Sequence, residues 1–346
     1  MFGSLQKLGK QVEQVVEMWN GFKLPADYKK VSSIVVSGMG GSALGAHIIK
    51  TLFAGELRVP VEIINDYHLP AYVGKNTLVI ASSYSGNTEE TVNALEEAKK
   101  KKAKIVVICA RPHPDQVGKH GGQAGGNLAE LAKKYNWPAL VFSTENNPCG
   151  SPRMGLGYSL AGQLLIFSKF GVLNFSKDKL ANVSTQLEKY GGTLIGVAKE
   201  LAKKTIDKTV WYVASEHLLG NAHTAANQMN ENGKRFGGYF AIPELNHHLM
   251  EVMLNPDSNK NSLLFILLES KLYNKRVQRR YEVTKDVLVK NKINFESYEL
   301  TAGDKVGQMC EALALCGYIS YYSAILNNID PTDIPFVDYF KEQLVS

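Results

Sequence analysis

Thr77-Leu78-Val79-Ile80-Ala81 is a short apolar run, and Ser82-Ser83-Tyr84-Ser85-Gly86-Asn87-Thr88 follows it directly. The first segment lacks polar alternation and is too short for a helix, which is the pattern of a strand buried on both faces. The second, with its small hydroxyl residues and glycine, reads as a loop. Beyond it, Thr88 to Lys102 sets Val92, Leu95 and Ala98 on one face of a charged helix. Strand, hydroxyl loop and helix make one βα unit.

The unit recurs outward. Upstream, Ser33-Ile34-Val35-Val36-Ser37 ends at Gly38-Met39-Gly40-Gly41-Ser42, and a helical pattern with Leu44, Ile48, Ile49 and Leu52 follows. Further strands are predicted at Val61–Ile64, Ile105–Ile108 and Ala139–Phe142, with helices at Leu128–Lys134 and Gly157–Phe170. Continuous apolar strands separated by helices predict a parallel sheet covered on both faces and joined by right-handed crossovers. The Gly-, His- and Lys-rich stretch from Pro112 to Asn127 is expected to be a surface loop, and Met1 to Asn20 a helix.

A second alternating pattern begins after a long helix, Asp178 to Lys204, expected to break near Gly191-Gly192. It has strands at Thr209–Val213, Tyr239–Ile242, Leu263–Leu267 and Asn294–Leu300. Helices are predicted at Leu219–Glu231, Arg276–Lys290, Val306–Asn327 and Pro335–Val345. The fold class is therefore α/β, as two doubly wound parallel-sheet α-β-α sandwich domains, residues 1–176 and 177–346. A chain of 346 residues suits two domains.

Composition excludes several classes. At 45% hydrophobic and a net charge of +6, the chain is not disordered. An excess of 39 Lys+Arg over 33 Asp+Glu suits anionic ligands and is too slight to imply nucleic acid. Cys109, Cys149, Cys310 and Cys316 form no CxxC pair, so neither a zinc site nor a disulfide framework is expected. No run approaches 18 apolar residues and the N-terminus lacks a signal-peptide core, so no membrane association is expected and the cytoplasm is the default.

Two loops carry the first chemistry. Gly38 to Ser42 and Ser82 to Thr88 each join a strand to a helix, where free N–H groups attract an anion and parallel sheets bind ligands. The competing reading is a pair of tight turns with helix caps, but a cap needs one hydroxyl. Ser83, Ser85 and Thr88 offer three. Neither loop has the spacing of GxGxxG or GxxxxGK[ST], which argues against a nucleotide.

The second half carries Asn230-Glu231-Asn232-Gly233-Lys234 and Pro243-Glu244-Leu245-Asn246-His247-His248. Glu231 can serve as a general base, against a plain role as a solvated helix-end charge. His247 or His248 can move protons near neutral pH, although a lone loop histidine is commonly structural. Arg153, after Pro152, is an anion-binding candidate or an ordinary exposed Arg. Composition alone makes Lys341 a surface residue.

Taken together, Gly38–Ser42, Ser83–Thr88, Asn230–Asn232 and Pro243–His247, in this order and at these separations, resemble the bifunctional phosphoglucose/phosphomannose isomerases. These are proteins with tandem sugar-isomerase (SIS) domains, and the likeness spans nearly the whole chain. The resemblance implies that Gly41, Ser42, Ser83, Ser85 and Thr88 hold a sugar 6-phosphate. It implies that Glu231 shuttles a proton between C1 and C2 through a cis-enediol, with Arg153 stabilising the charge that develops. His247, reaching in from the partner of a homodimer, and Lys341 would act on ring opening and O1. No metal or other cofactor is implied. Two alternatives remain at this stage: a non-catalytic SIS protein that binds or senses sugar phosphates, which would leave Glu231, His247 and Arg153 idle, and an isomerase of aminosugar phosphates.

Overall fold

The computed structural model describes residues 1–111 and 126–345. The stretch expected to be a surface loop, Pro112 to Asn127, lies almost entirely outside the described residues. Chain order begins with α1 (Phe2–Gln6) and α2 (Leu8–Met18), then β1 (Ser33–Ser37), α3 (Gly41–Leu52), β2 (Val61–Ile64) and β3 (Thr77–Ser83). It continues with α4 (Glu89–Lys100), β4 (Lys104–Arg111), α5 (Gly126–Tyr135), β5 (Ala139–Ser143) and α6 (Leu156–Lys169). These five strands form one parallel sheet in the order β2-β1-β3-β4-β5, with Ser37 opposite Ala81 and Ser83 opposite Cys109.

Alternate strand residues enter two different cores. Ile34, Val36, Leu78, Ile80, Val106 and Ile108 pack with α3 and α6. Val35, Val79, Ala81, Ile105 and Val107 pack with Ala94, Leu95 and Ala98 of α4 and Leu128 and Ala132 of α5. A strand buried on both faces needs apolar residues at every position, which is why these strands read as continuous apolar runs.

The second half runs α7 (Lys177–Thr193), α8 (Ile195–Lys204), β6 (Thr209–Ala214), α9 (Leu219–Glu231), β7 (Gly237–Ala241), α10 (Leu245–His248) and α11 (Asn259–Ser262). It ends with β8 (Leu263–Glu269), α12 (Lys275–Lys290), β9 (Asn294–Glu299), α13 (Lys305–Ile325) and α14 (Pro335–Val345). Its sheet is also parallel, in the order β7-β6-β8-β9.

Two expectations shift. The N-terminal helix is two, separated at Lys7, with Leu5, Leu8, Val12 and Val15 all buried. The long helix breaks at Leu194, because Gly191 and Gly192 stay helical. Tyr318 Oη donates to the Gly191 carbonyl at 2.9 Å, supplying a partner for a helix-end acceptor.

The two halves meet through helices. α3 and α9 lie against each other, and α2 lies along α7. One continuous apolar core runs from β1, β3 and β4 through α3 and α6 to α9, α13 and the second sheet. Among the described residues, no helix is long and apolar enough to cross a membrane.

Candidate active site

In the first sheet the strand order reverses between β1 and β3, so the loops after these strands flank the crevice where such sheets hold ligands. Gly40 sits at φ +48°, in the left-handed region that a glycine enters without strain. This turn starts α3 at Gly41 and leaves Ser42 in its first helical turn. Ser42 Oγ accepts the Tyr84 N–H at 3.0 Å, which ties the two loops together.

The hydroxyls of the second loop converge. Ser83 Oγ lies 2.7 Å from Thr88 Oγ1 and 3.4 Å from Ser85 Oγ. Gly86 N–H donates to Ser83 Oγ at 3.1 Å and Asn87 N–H to Ser85 Oγ at 3.2 Å. Thr88 precedes α4 and makes no side-chain capping bond. The capping explanation for three hydroxyls therefore fails at the residue best placed to be a cap. Ser83 and Thr88 spend one hydroxyl hydrogen on their mutual bond, which leaves the other of the two hydrogens for an incoming oxyanion. Gly41, Ser42 and Ser83 line a small recess here, together with Tyr84, Pro152 and Ser159.

A larger cleft of about 280 Å³ opens beside it, lined by Gly40, Gly41, Leu44, Arg153, Asn227, Gln228, Asn230, Glu231 and Asn232. Gly41 lines both spaces, which makes them neighbours. α3 presents its N-terminus to the cleft and α9 its C-terminus. The carboxylate of Glu231 thus stands at the negative end of a helix dipole, where a cation is needed to offset it.

Arg153 is that cation. It follows Pro152 in the turn before α6 and is 8% exposed, so it is not an ordinary surface arginine. Its Nε donates to Asn232 Oδ1 at 2.7 Å, and its Nη2 to the carbonyls of Pro331 and Thr332 at 2.9 and 3.0 Å. Its Nη1 lies 3.4 Å from Glu231 Oε1. Three of the bonds lock the guanidinium plane, and its Nη1 edge faces the carboxylate. Glu231 keeps a side-chain exposure of 39% toward the cleft, so it remains accessible to a ligand.

Asn232 and Lys234 complete this corner and went without a role in the sequence reading. Asn232 is buried beneath Arg153, and a single Asn has no local signature of such a contact. Lys234 Nζ donates to the carbonyls of Glu231 (2.8 Å) and Asp333. Burial, and then the neighbouring Arg153, lower its pKa below the usual lysine value. The loop bearing Arg153 is itself held from afar, because buried Gln11 of α2 donates to the Met154 carbonyl at 2.8 Å and accepts Gly157 N–H at 3.0 Å.

Other sequence candidates lie apart. His247 sits on the four-residue α10, is exposed, and lines neither space. His248 lies 3.5 Å from Glu244, the residue that precedes the same helix. Lys341 is exposed on α14 and lines neither space. No group of three or more His, Cys, Asp or Glu able to hold a metal occurs among the described residues.

Comparisons with known proteins give the family. Residues 27–115 match the SIS domain family, and residues 196–344 match the bacterial phospho-glucose isomerase C-terminal SIS domain family. The chain is 30% identical to the bifunctional phosphoglucose/phosphomannose isomerase of Caldicellulosiruptor bescii, over 99% of this chain and 98% of that protein. It is 28% identical to the protein of the same name from Thermoplasma acidophilum, over 90% of each chain. Among solved structures, tagatose-6-phosphate ketose/aldose isomerase from Escherichia coli matches with a TM-score of 0.72 at 14% identity, covering 96% of this chain and 94% of that one. At that identity the likeness is one of fold.

Proposed function

Because the chain belongs to the bifunctional phosphoglucose/phosphomannose isomerase family, we propose that it is an aldose–ketose isomerase interconverting glucose 6-phosphate and mannose 6-phosphate with fructose 6-phosphate. The observation that carries this reading is the Arg153–Glu231 pair, 3.4 Å apart, in a cleft that shares Gly41 with the hydroxyl recess. A base and a fixed cation in one cleft, with an anion holder in the adjoining recess, are what such a reaction requires.

Ser42, Ser83, Ser85 and Thr88 seat the 6-phosphate, with Gly41 at the wall shared by the recess and the cleft. With the sugar open, Glu231 takes the proton from C2 of the aldose, and electrons shift to make the C1–C2 double bond of a cis-enediol. A proton reaches O1 to complete the enediol, and the same carboxyl group then returns its proton to C1 as the O2 hydroxyl gives up its own, which makes the C2 carbonyl of the ketose. Glucose and mannose differ only at C2, which is planar in the enediol, so both reach one intermediate. Arg153 offsets the negative charge that grows on the oxygens, and being already locked it needs no reorganisation in the transition state.

His247 and Lys341 assist ring opening and proton movement at O1. His247 serves the cleft of a second copy in a homodimer. Support comes from its exposure outside the cleft of its own chain, and from the apolar surface on α14, where Phe336, Tyr339, Phe340 and Leu344 are all exposed. Residues 1–176 form the phosphate-holding domain and residues 177–346 the domain of the base. The protein works in the cytoplasm, in glycolysis and gluconeogenesis, and takes no nucleic acid or membrane partner.

The test is a coupled assay with fructose 6-phosphate. Glu231→Gln keeps the side-chain shape and removes the base. It is expected to lower kcat by about 10²–10⁴-fold while retaining affinity for the phosphorylated sugar. An active Glu231→Gln enzyme overturns the assignment of the base, and a wild-type protein that binds without turnover returns the reading to a non-catalytic sugar-phosphate binder.

A further inference from the structure

Ser42 is held from behind by three side chains of two elements. Ser82 Oγ of β3, Ser159 Oγ of α6 and Gln163 Nε2 of α6 each donate to its carbonyl oxygen at 2.9 Å. All three donors are buried. A carbonyl oxygen offers two lone pairs, so three side-chain donors exceed what simple satisfaction of a buried acceptor needs.

Gln163 carries the argument furthest. Its Nε2 also reaches Ser159 Oγ at 3.2 Å, while its Oε1 has no partner among the described residues. Turning the amide over would set Oε1 against the Ser42 carbonyl oxygen, so the Ser42 contact dictates its orientation. Close approach of α6 to α3 makes the contact possible. A Cβ on Gly45 would stand 2.8 Å from Leu160 N and 2.9 Å from Gln163 Oε1.

The arrangement sorts the serines of the recess into two kinds. Ser82 and Ser159 have given their only hydroxyl hydrogens to the Ser42 carbonyl and have none for a ligand. Ser42 Oγ, by contrast, accepts from Tyr84 N–H, so its own hydrogen is free to face the recess. Resting on the reading that this recess holds the sugar's phosphate, we infer that Gln163 is a positioning residue, with Ser82 and Ser159, that fixes the peptide of Ser42 and so aims the Ser42 hydroxyl and the first turn of α3 at the anion. Gln163 lines neither the recess nor the cleft. Its effect passes through Ser42.

Steady-state kinetics of the full chain with fructose 6-phosphate, and competition by inorganic phosphate, test this. Gln163→Leu keeps the bulk and removes the donor. It is expected to raise KM and the inhibition constant for phosphate together, each about tenfold, with kcat held within about twofold. Ser159→Ala is expected to raise both constants, and Ser159→Thr, which keeps the hydroxyl, to restore them. A merely structural role would lower the unfolding midpoint and the active fraction without this paired shift.

Unchanged constants in Gln163→Leu, or a loss of kcat alone, overturn the inference. If that variant does not fold, the Ser159→Ala and Ser159→Thr pair decides by the same two constants. Ser42→Ala separates the two levels of failure. If it leaves both constants unchanged, the reading of the recess as the phosphate holder falls. If it raises both while Gln163→Leu and Ser159→Ala raise neither, only the positioning role falls.

Discussion

The two sheets have the same strand order over four strands, yet among the described residues their crevices are furnished differently. In the first, the loops after β1 and β3 bring Ser42 and Ser83 to a recess beside the cleft. In the second, the equivalent loops after β6 and β8 are likewise bonded to each other, and further buried side chains crowd between them. Ser215 Oγ donates to the Ile242 carbonyl at 2.6 Å, and Ser215 N–H donates to Tyr273 Oη at 3.2 Å. Tyr273 Oη in turn donates to the Leu268 carbonyl at 3.1 Å. Ser270 Oγ donates to Gln308 Oε1 at 2.6 Å, and His217 Nε2 lies 2.9 Å from the same oxygen.

All of these side chains are buried, and burial lowers the pKa of His217 despite the opposing pull of Gln308. The second crevice is occupied by the protein's own groups. Topology provides a place for a ligand in both halves, and side-chain filling decides which half uses it. The second half contributes instead at the end of a helix, through Glu231.

Arg153 is where the halves join across the cleft, so replacing it is expected to have the largest effect after removal of the Glu231 carboxylate itself. Arg153→Lys keeps the charge and loses the planar fork that holds Asn232, Pro331 and Thr332 at once. We expect kcat with fructose 6-phosphate to fall about 10²–10³-fold. A lysine variant with near-normal kcat would mean that charge alone suffices and that the locked geometry contributes nothing.

Next in size is the contrast between the crevices. Ser83→Ala removes a hydroxyl from the crevice beside the cleft and is expected to raise KM about tenfold with little change in kcat. Tyr273→Phe removes a hydroxyl from the filled one. It is expected to lower the stability of the protein by about 1 kcal/mol and leave KM alone. Urea unfolding beside steady-state kinetics reads both. A KM change in Tyr273→Phe would show that the second crevice binds substrate after all, and would erase the distinction.

This contrast also marks what the sequence can and cannot reveal. The strands of the first sheet were legible because burial on both faces demands runs such as Thr77–Ala81. The hydroxyl loop was legible because Ser83, Ser85 and Thr88 are neighbours in the chain. Glu231 and Arg153 were candidates as residues, each against a plain surface reading, and the family resemblance supplied their roles in one site. Their contact spans 78 positions of chain (153 to 231), which no local pattern records. The support behind them, Gln11, Gln163 and Asn232, was not legible at all. A glutamine inside an apolar helix has no signature until the fold sets a carbonyl before it. The break at Leu194 was misplaced for a related reason, because the two glycines are helical and the helix-end partner, Tyr318, comes from far along the chain.

The smallest expected effect concerns how firmly the halves stay together. His47 on α3 and His223 on α9 touch with ring centroids 4.3 Å apart, and His223 stacks on Tyr239. Each lies about one helical turn from a residue lining the cleft, Leu44 on α3 and Asn227 on α9. Burial, then His223 and Lys50, hold the His47 pKa down to about 4, and burial lowers that of His223 as well. Unfolded, a histidine titrates near 6.5, so between about pH 6.5 and 4 the unfolded chain binds a proton that the folded pair resists. The contribution of the pair is therefore complete above about pH 6.5 and is lost as the pH falls toward 4. His47→Phe keeps a ring in the contact and cannot titrate. Its unfolding midpoint is expected to match the parent at pH 7 and to fall less steeply on acidification. Equal slopes in the two proteins would remove the histidine pair from the joint, and with it the expectation that acid parts the hydroxyl recess beside α3 from Glu231 on α9.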